Sequence, residues 1–140
     1  MTVNYSAAGE FSDTAIIQEF VVGAADLTKG RVCTITPLAG QLSTLAICAN
    51  ADASGNGPYA VTIESGSIGG KIRAVVYGEV GVDASGNCYL GALVYGRGGA
   101  AVTRTLSAYD PETAAPALGR VTVGAADNGV ATVFVGIGGI

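Results

Sequence analysis

The sequence contains no histidine and no tryptophan. Without histidine, the commonest general base near neutral pH is missing, and so is the commonest metal ligand. Neither a Ser-His-Asp nor a Cys-His arrangement can be built. Charge is scarce: 13% of the residues are Asp, Glu, Lys or Arg, against roughly 25% in typical soluble domains. The basic residues Lys29, Arg31, Lys71, Arg73, Arg97, Arg104 and Arg120 are spread singly. No cluster of them can track a phosphate backbone, so no nucleic-acid partner is expected. No apolar run approaches the roughly 18 residues of a membrane span, so no membrane partner is expected. The first residues, MTVNYSAAGEFSD, have neither a basic n-region nor an apolar h-region. They do not read as a signal peptide, and the expectation is an intracellular protein with reduced thiols.

Apolar residues are plentiful. Nearly half of the 140 residues are hydrophobic, and mean hydropathy is +0.47. That length fits one domain with a sizeable core. The excess sits in Val, Ile, Leu and Ala. It reads as surface buried by self-association or by a large partner; the alternative is a small-residue core in a monomer. The 22 glycines are scattered rather than periodic, which excludes collagen. The three cysteines, Cys33, Cys48 and Cys88, lie in or beside apolar strand-like segments, where cysteine usually acts as a small hydrophobe. A Cys33–Cys48 bridge across neighbouring strands stays open.

Period-2 patterning dominates the chain. Strands are expected at Ala15–Val22, Arg31–Thr36, Ser43–Ala49, Tyr59–Ile63, Lys71–Val80, Cys88–Tyr95 and Val102–Leu106. Ser43–Ala49 is also compatible with a short helix, because Leu and Ala are helix formers. The ending LGRVTVGAADNGVATVFVGIGGI reads as a β-hairpin: alternating segments flank a Gly-Ala-Ala-Asp-Asn-Gly loop. Its second arm, Val130–Ile137, is apolar on both faces, so both faces are expected to be covered. Eight to nine short strands with turn signals between them give an all-β class, a single-domain barrel or sandwich. Residues 1–13 read as an extended arm and residues 14–140 as the β domain. Short repeats occur, Asp52–Asn56 with Asp83–Asn87 and Val22–Asp26 with Val123–Asp127, but their spacings differ, so no solenoid is implied.

Little chemistry can be assembled from these residues. Asp52-Ala-Ser-Gly-Asn-Gly57 resembles the start of a calcium loop, but its twelfth position is Ile63 and no helices flank it. It reads as a turn, as does Asp83–Asn87. Gly96-Arg-Gly-Gly99 and Gly66–Lys71 lead into strand-like segments rather than helices, so neither is a dinucleotide loop. A carboxylate pair brought together by folding would be a route to catalysis, but no spacing favours one. The chain is not expected to be an enzyme, and no cofactor or metal is expected. Tyr59, Tyr77, Tyr89, Tyr95 and Tyr109 are available to stack a sugar, which keeps a carbohydrate-binding β module as an alternative.

Two stretches carry a resemblance. One is Phe20-Val-Val-Gly-Ala-Ala-Asp-Leu-Thr-Lys-Gly-Arg-Val-Cys-Thr-Ile35, a strand left at Ala-Asp and re-entered at Lys-Gly. The other is Ala117-Leu-Gly-Arg-Val-Thr-Val123, a small-residue turn, then Val130–Val135. With Ala74–Val80 between them, the chain resembles the small capsid decoration, or cement, proteins of bacteriophages. The resemblance implies a β-barrel or β-tulip-like protein, trimeric in preference to dimeric, on the outer surface of an icosahedral head. It would bind the major capsid protein and bridge neighbouring subunits, after assembly in the host cytoplasm. A tail or fibre module of a phage is the nearest alternative. The residues expected to meet a partner are Tyr5, Phe11 and Phe20 in or near the arm, Val102 on an edge strand, and Ile137 and Ile140 at the end of the hairpin.

Overall fold

A computed structural model describes residues 4–47, 58–103 and 118–136. The described residues are all-β, with nine strands: β1 (Ile16–Val22), β2 (Val32–Thr36), β3 (Thr44–Ile47), β4 (Tyr59–Thr62), β5 (Lys71–Asp83), β6 (Leu93–Arg97), β7 (Ala100–Thr103), β8 (Gly119–Val123) and β9 (Val130–Val135). Their order is β1-β3-β2-β4-β5-β9-β8-β6-β7, and β1 pairs also with β5. That extra pairing closes β1, β3, β2, β4 and β5 into a five-stranded barrel. The remaining strands form a second sheet that shares β5 with the barrel.

β5 is therefore the spine. Its first half pairs with β1 and β4, from Val21↔Lys71 to Ile16↔Tyr77 and at Val61↔Val75. Its second half pairs with β9, from Gly78↔Val135 to Asp83↔Val130. Where the halves meet, the strand turns over. Val75 and Val80 are five residues apart, which in a regular strand puts them on opposite faces. Both nevertheless pack in one core cluster. The parity shifts at a bulge: Ile17 pairs with Val75 and Ile16 with Tyr77, so Val76 is passed over. Gly78 follows at φ 119, in a region that side-chain-bearing residues avoid.

Two cores result. The barrel interior holds Phe20, Val22, Leu27, Cys33, Leu45, Ala60, Ile72 and Ala74. The larger core lies between the barrel and the second sheet, with Val32, Val61 and Val75 from one side and Val80, Val94, Val121, Val133 and Val135 from the other. β4 faces both cores, so all four of its residues are buried. Each fully buried Val or Leu contributes on the order of 1.5–3 kcal/mol relative to exposure.

Most expected strands are present, and several boundaries differ; the strand expected at Val102–Leu106 begins at Ala100, in the segment Ala100–Thr103. The Lys71–Val80 segment runs on to Asp83, because Val82 still faces the larger core. The Cys88–Tyr95 segment is strand only from Leu93. Cys88 makes an isolated bridge to Ala125, and the chain turns at Tyr89–Ala92, where Ala92 N–H donates to Tyr89 O at 3.0 Å. Of Ser43–Ala49, residues Thr44–Ile47 form a strand and not a helix, pairing with β1 and β2. The terminal hairpin is β8 and β9, and β9 is central, between β5 and β8. Its edges are therefore both paired, but its faces are not both covered as expected: Ala131, Val133 and Val135 fill the core, whereas Phe134 on the other face is 38% exposed. Tyr109–Pro116, the 52–56 turn and Cys48 lie outside the described residues.

The N-terminal residues are docked on their own domain. Gly9 N–H donates to Gly81 O at 2.8 Å, Gly81 N–H to Glu10 O at 2.8 Å, and Ser12 N–H to Glu79 O at 3.0 Å. Phe11 bridges Val80. The arm thus continues the line of β1 along β5, past a tight turn in which Ala15 N–H donates to Ser12 O at 3.0 Å. The approach at Gly81 is close: a Cβ there would stand 2.8 Å from Ala7 O and 3.1 Å from Tyr5 Cβ.

Candidate functional site

The outer face of the β1-β5-β9-β8 junction carries the most organised exposed apolar surface. Ile16 and Tyr77 are cross-strand partners. Phe134 is opposite Glu79 on one side and Arg120 on the other. Ile16, Tyr77 and Phe134 are 56%, 45% and 38% exposed. The Tyr77 and Phe134 rings meet edge to face, with centroids 5.1 Å apart, within the favoured range for such pairs. Exposed aromatics on a rigid sheet are what a docking face needs, because little side-chain freedom is lost on contact.

Polar groups frame the face. Thr122 Oγ1 donates to Glu79 Oε2 at 2.8 Å. Arg120 Nη1 donates to Gly91 O at 3.0 Å. The Tyr5 phenol, hydrogen-bonded to Ser12, is pushed above its ordinary pKa, first by burial and then by the Glu79 and Asp13 carboxylates. Glu10 holds the arm's own turn: its Oε1 accepts from Ser6 N, Ser6 Oγ and Ala7 N. Its carboxyl lies below the usual range, chiefly through the Ala7 N–H and then the Ser6 hydroxyl. Away from this face, Glu64 is lowered by its hydrogen bonds to Arg73, which it meets at 2.9 Å. Among the described residues, no group of three or more His, Cys, Asp or Glu could hold a metal ion.

The expected partner residues fall in different places. Tyr5 is half-buried over Gly81, and Phe11 is 38% exposed beside β5. Phe20 is fully buried in the barrel core; it alternates inward with Val22, so its ring is a packing residue and not a surface anchor. Val102 stands in β7 opposite Tyr95. β7 ends the strand order, although Ser85 N–H donates to Ala101 O on its outer side at 2.9 Å. Ile137 and Ile140 lie outside the described residues.

Ile16, Phe134 and Leu90 were not singled out by sequence. The one available signal was parity: Phe134 is out of phase with Val133 and Val135, whose side chains fill the core.

No protein-family model matches this sequence, and no curated protein matches it. Among solved structures, the chain is similar to the N base of head fiber gp8.5 of bacteriophage phi29. The match has 14% identity and a TM-score of 0.59, and covers 86% of this chain and 94% of that one. At this identity the likeness is one of fold, and it spans almost the whole of both chains.

Proposed function

We propose that this chain is a structural protein of a phage virion that binds the outer surface of the head and stabilises it by bridging neighbouring major capsid subunits. One observation carries the reading: its fold is similar, over most of both chains, to the base of a phage head fiber. The composition supports it independently. A head-binding protein needs charge-poor contact surfaces, and each contact can be weak because many copies act together. The Ile16–Tyr77–Phe134 face supplies such a surface on a rigid sheet.

A second reading is favoured by the same observation: the chain is itself a base module that seats a fiber or tail element on the virion. Both readings need attachment to a shell, and they differ in what lies above it.

Co-sedimentation tests the proposal. Purified chain is mixed with assembled shells of the cognate major capsid protein, and bound copies are counted per capsid subunit. Saturable binding in fixed ratio to capsid subunits, with shells made more resistant to heat, is the expected result. Binding at only a few sites per head would favour the base module. Absence of binding would overturn both readings, and glycan binding by the isolated chain would point to the carbohydrate alternative.

A further inference from the structure

The β5–β6 turn presents two bulky side chains to solvent. Tyr89 is 63% exposed and Leu90 75%, the most exposed of the large hydrophobics among the described residues. Isolated exposed apolar residues need no explanation. This pair differs because the backbone beneath it is pinned at both ends. Cys88 exchanges two main-chain hydrogen bonds with Ala125, at 2.8 and 2.9 Å. Gly91 N–H donates to Val121 O at 2.8 Å, and Gly91 O accepts from Arg120 Nη1 at 3.0 Å. The facing β8–β9 loop is fixed as well: Asp127 Oδ1 accepts from Gly86 N at 2.7 Å, and Asp127 N–H donates to Asn87 Oδ1 at 3.0 Å. Tyr89 and Leu90 therefore form a knob that is ordered before any partner arrives.

Beside the knob lies an open groove of about 450 Å³, floored on the far side by Gly124, Ala125 and Ala126. At Gly124 a Cβ would stand 2.8 Å from Cys88 O, so glycine there lets the two turns pack closely, and the open side of the groove lies at Ala125 and Ala126. Charges of opposite sign mark the two ends. Arg120 reaches Gly91 at the Leu90 end, and Asp127 follows Ala126 at the other. Neither forms an ion pair among the described residues.

A knob beside a hole, with opposite charges at the two ends, is complementary to itself when turned through half a revolution. We propose that this face is a two-fold contact between copies of the chain. The Tyr89–Leu90 turn of one copy enters the Gly124–Ala126 groove of the other, and Arg120 of each meets Asp127 of its mate. The symmetry makes every contact twice, so a small groove contributes double. A three-fold ring would instead separate knob and hole onto different faces, so this contact favours a dimeric unit over a trimeric one. The inference does not depend on attachment to a capsid.

Sedimentation velocity of the full chain over a concentration series tests it. Wild type is expected to dimerise. Leu90→Glu should weaken self-association by at least about tenfold, with unchanged thermal unfolding, because Leu90 is a central apolar anchor of the contact. Ala126→Leu, which fills the groove from an exposed position, should do the same without touching the knob. A mixture of Leu90→Cys and Ala126→Cys chains should yield a disulfide-linked pair joined at those two positions. A monomeric wild type, a trimer, or a dimer indifferent to both Leu90→Glu and Ala126→Leu would overturn the proposal. A monomer whose shell binding is lost in Leu90→Glu would overturn it too, and would give the knob to the capsid instead. Shell binding by wild type is read separately, so either proposal can fail without the other.

Discussion

The Tyr77 ring stands edge-on to Phe134, with centroids 5.1 Å apart and planes at 85°. The contact joins β5 to β9 on the outside of the molecule, where β5 has just crossed from barrel to second sheet. A bulge at Val76, opposite Ile16 and Ile17, shifts the strand's parity at that point, and the shift leaves Tyr77 outside while Val75 and Val80 stay in the core. The exposed aromatic pair is thus a consequence of how one strand serves two sheets.

Replacing Phe134 by Ala removes the ring contact and the buried part of a side chain that is 38% exposed. Its expected cost in stability is about 1–3 kcal/mol, read by urea unfolding. Phe134→Asp should leave the fold intact and abolish shell binding, because a carboxylate would then lie beside Glu79 on the docking face. Retention of full shell binding by Phe134→Asp would remove this face from the proposed function.

Removal of residues 1–13 should destabilise the domain. The sequence reads residues 1–13 as an extended arm outside the β domain. In the structure three main-chain hydrogen bonds tie it to Glu79 and Gly81 of β5. At roughly 0.5–1.5 kcal/mol net for each, the truncation should cost about 2–4 kcal/mol and lower the melting temperature. Gly81→Val should mimic it in the full-length chain, because its side chain would occupy the place of Ala7 O and Tyr5 Cβ. Rapid proteolysis of the arm in Gly81→Val, and slow proteolysis in wild type, is the expected signature.

Thr62 is fully buried between the two cores, and its hydroxyl is engaged on both sides. Thr62 Oγ1 accepts from Arg31 N at 2.9 Å and donates to Thr28 O at 2.8 Å. Thr62→Val keeps the shape and leaves both backbone groups without that partner. The expected loss is about 1–3 kcal/mol, measured by denaturant unfolding. Thr62→Ser, which keeps the hydroxyl, should lose clearly less.

How much of this was legible follows from what each segment faces. β1, β2, β4, β8 and β9 announce themselves because alternation or a continuous apolar run maps directly onto one or two covered faces. β9 departs from that rule on one face: its run is apolar on both, yet Phe134 stands open to solvent. The path of the arm was not legible: Ser6, Ala7 and Gly9 carry no periodicity, and their partner is the backbone of Gly81 rather than any side chain. The exposed face was hidden for another reason. Tyr77 and Phe134 sit in strands rich in core residues, and the bulge at Val76 shifts which parity of β5 points outward. The fate of Phe20 is the converse, an aromatic near the arm that the barrel needs for its own packing.

The pH dependence of the arm separates its two anchoring groups. In the folded chain the Tyr5 phenol is held above its ordinary pKa of about 10, mainly by burial and by Glu79 and Asp13. A raised pKa means that folding favours the neutral phenol. Its contribution is fully present below the unfolded value and is lost as pH rises through the folded one. Glu10 runs the other way. Its lowered carboxyl pKa gives a contribution present above the ordinary glutamate value, which is lost as pH falls through the folded one. Arm protection, followed by hydrogen exchange or limited proteolysis at Gly9–Ser12, should therefore fall at both extremes. Tyr5→Phe should remove the alkaline step and keep the acid one, and Glu10→Gln should do the reverse. If Tyr5→Phe and wild type lose arm protection along the same alkaline curve, the phenol is not what Glu79 and Asp13 act on, and the docked position of Tyr5 is wrong.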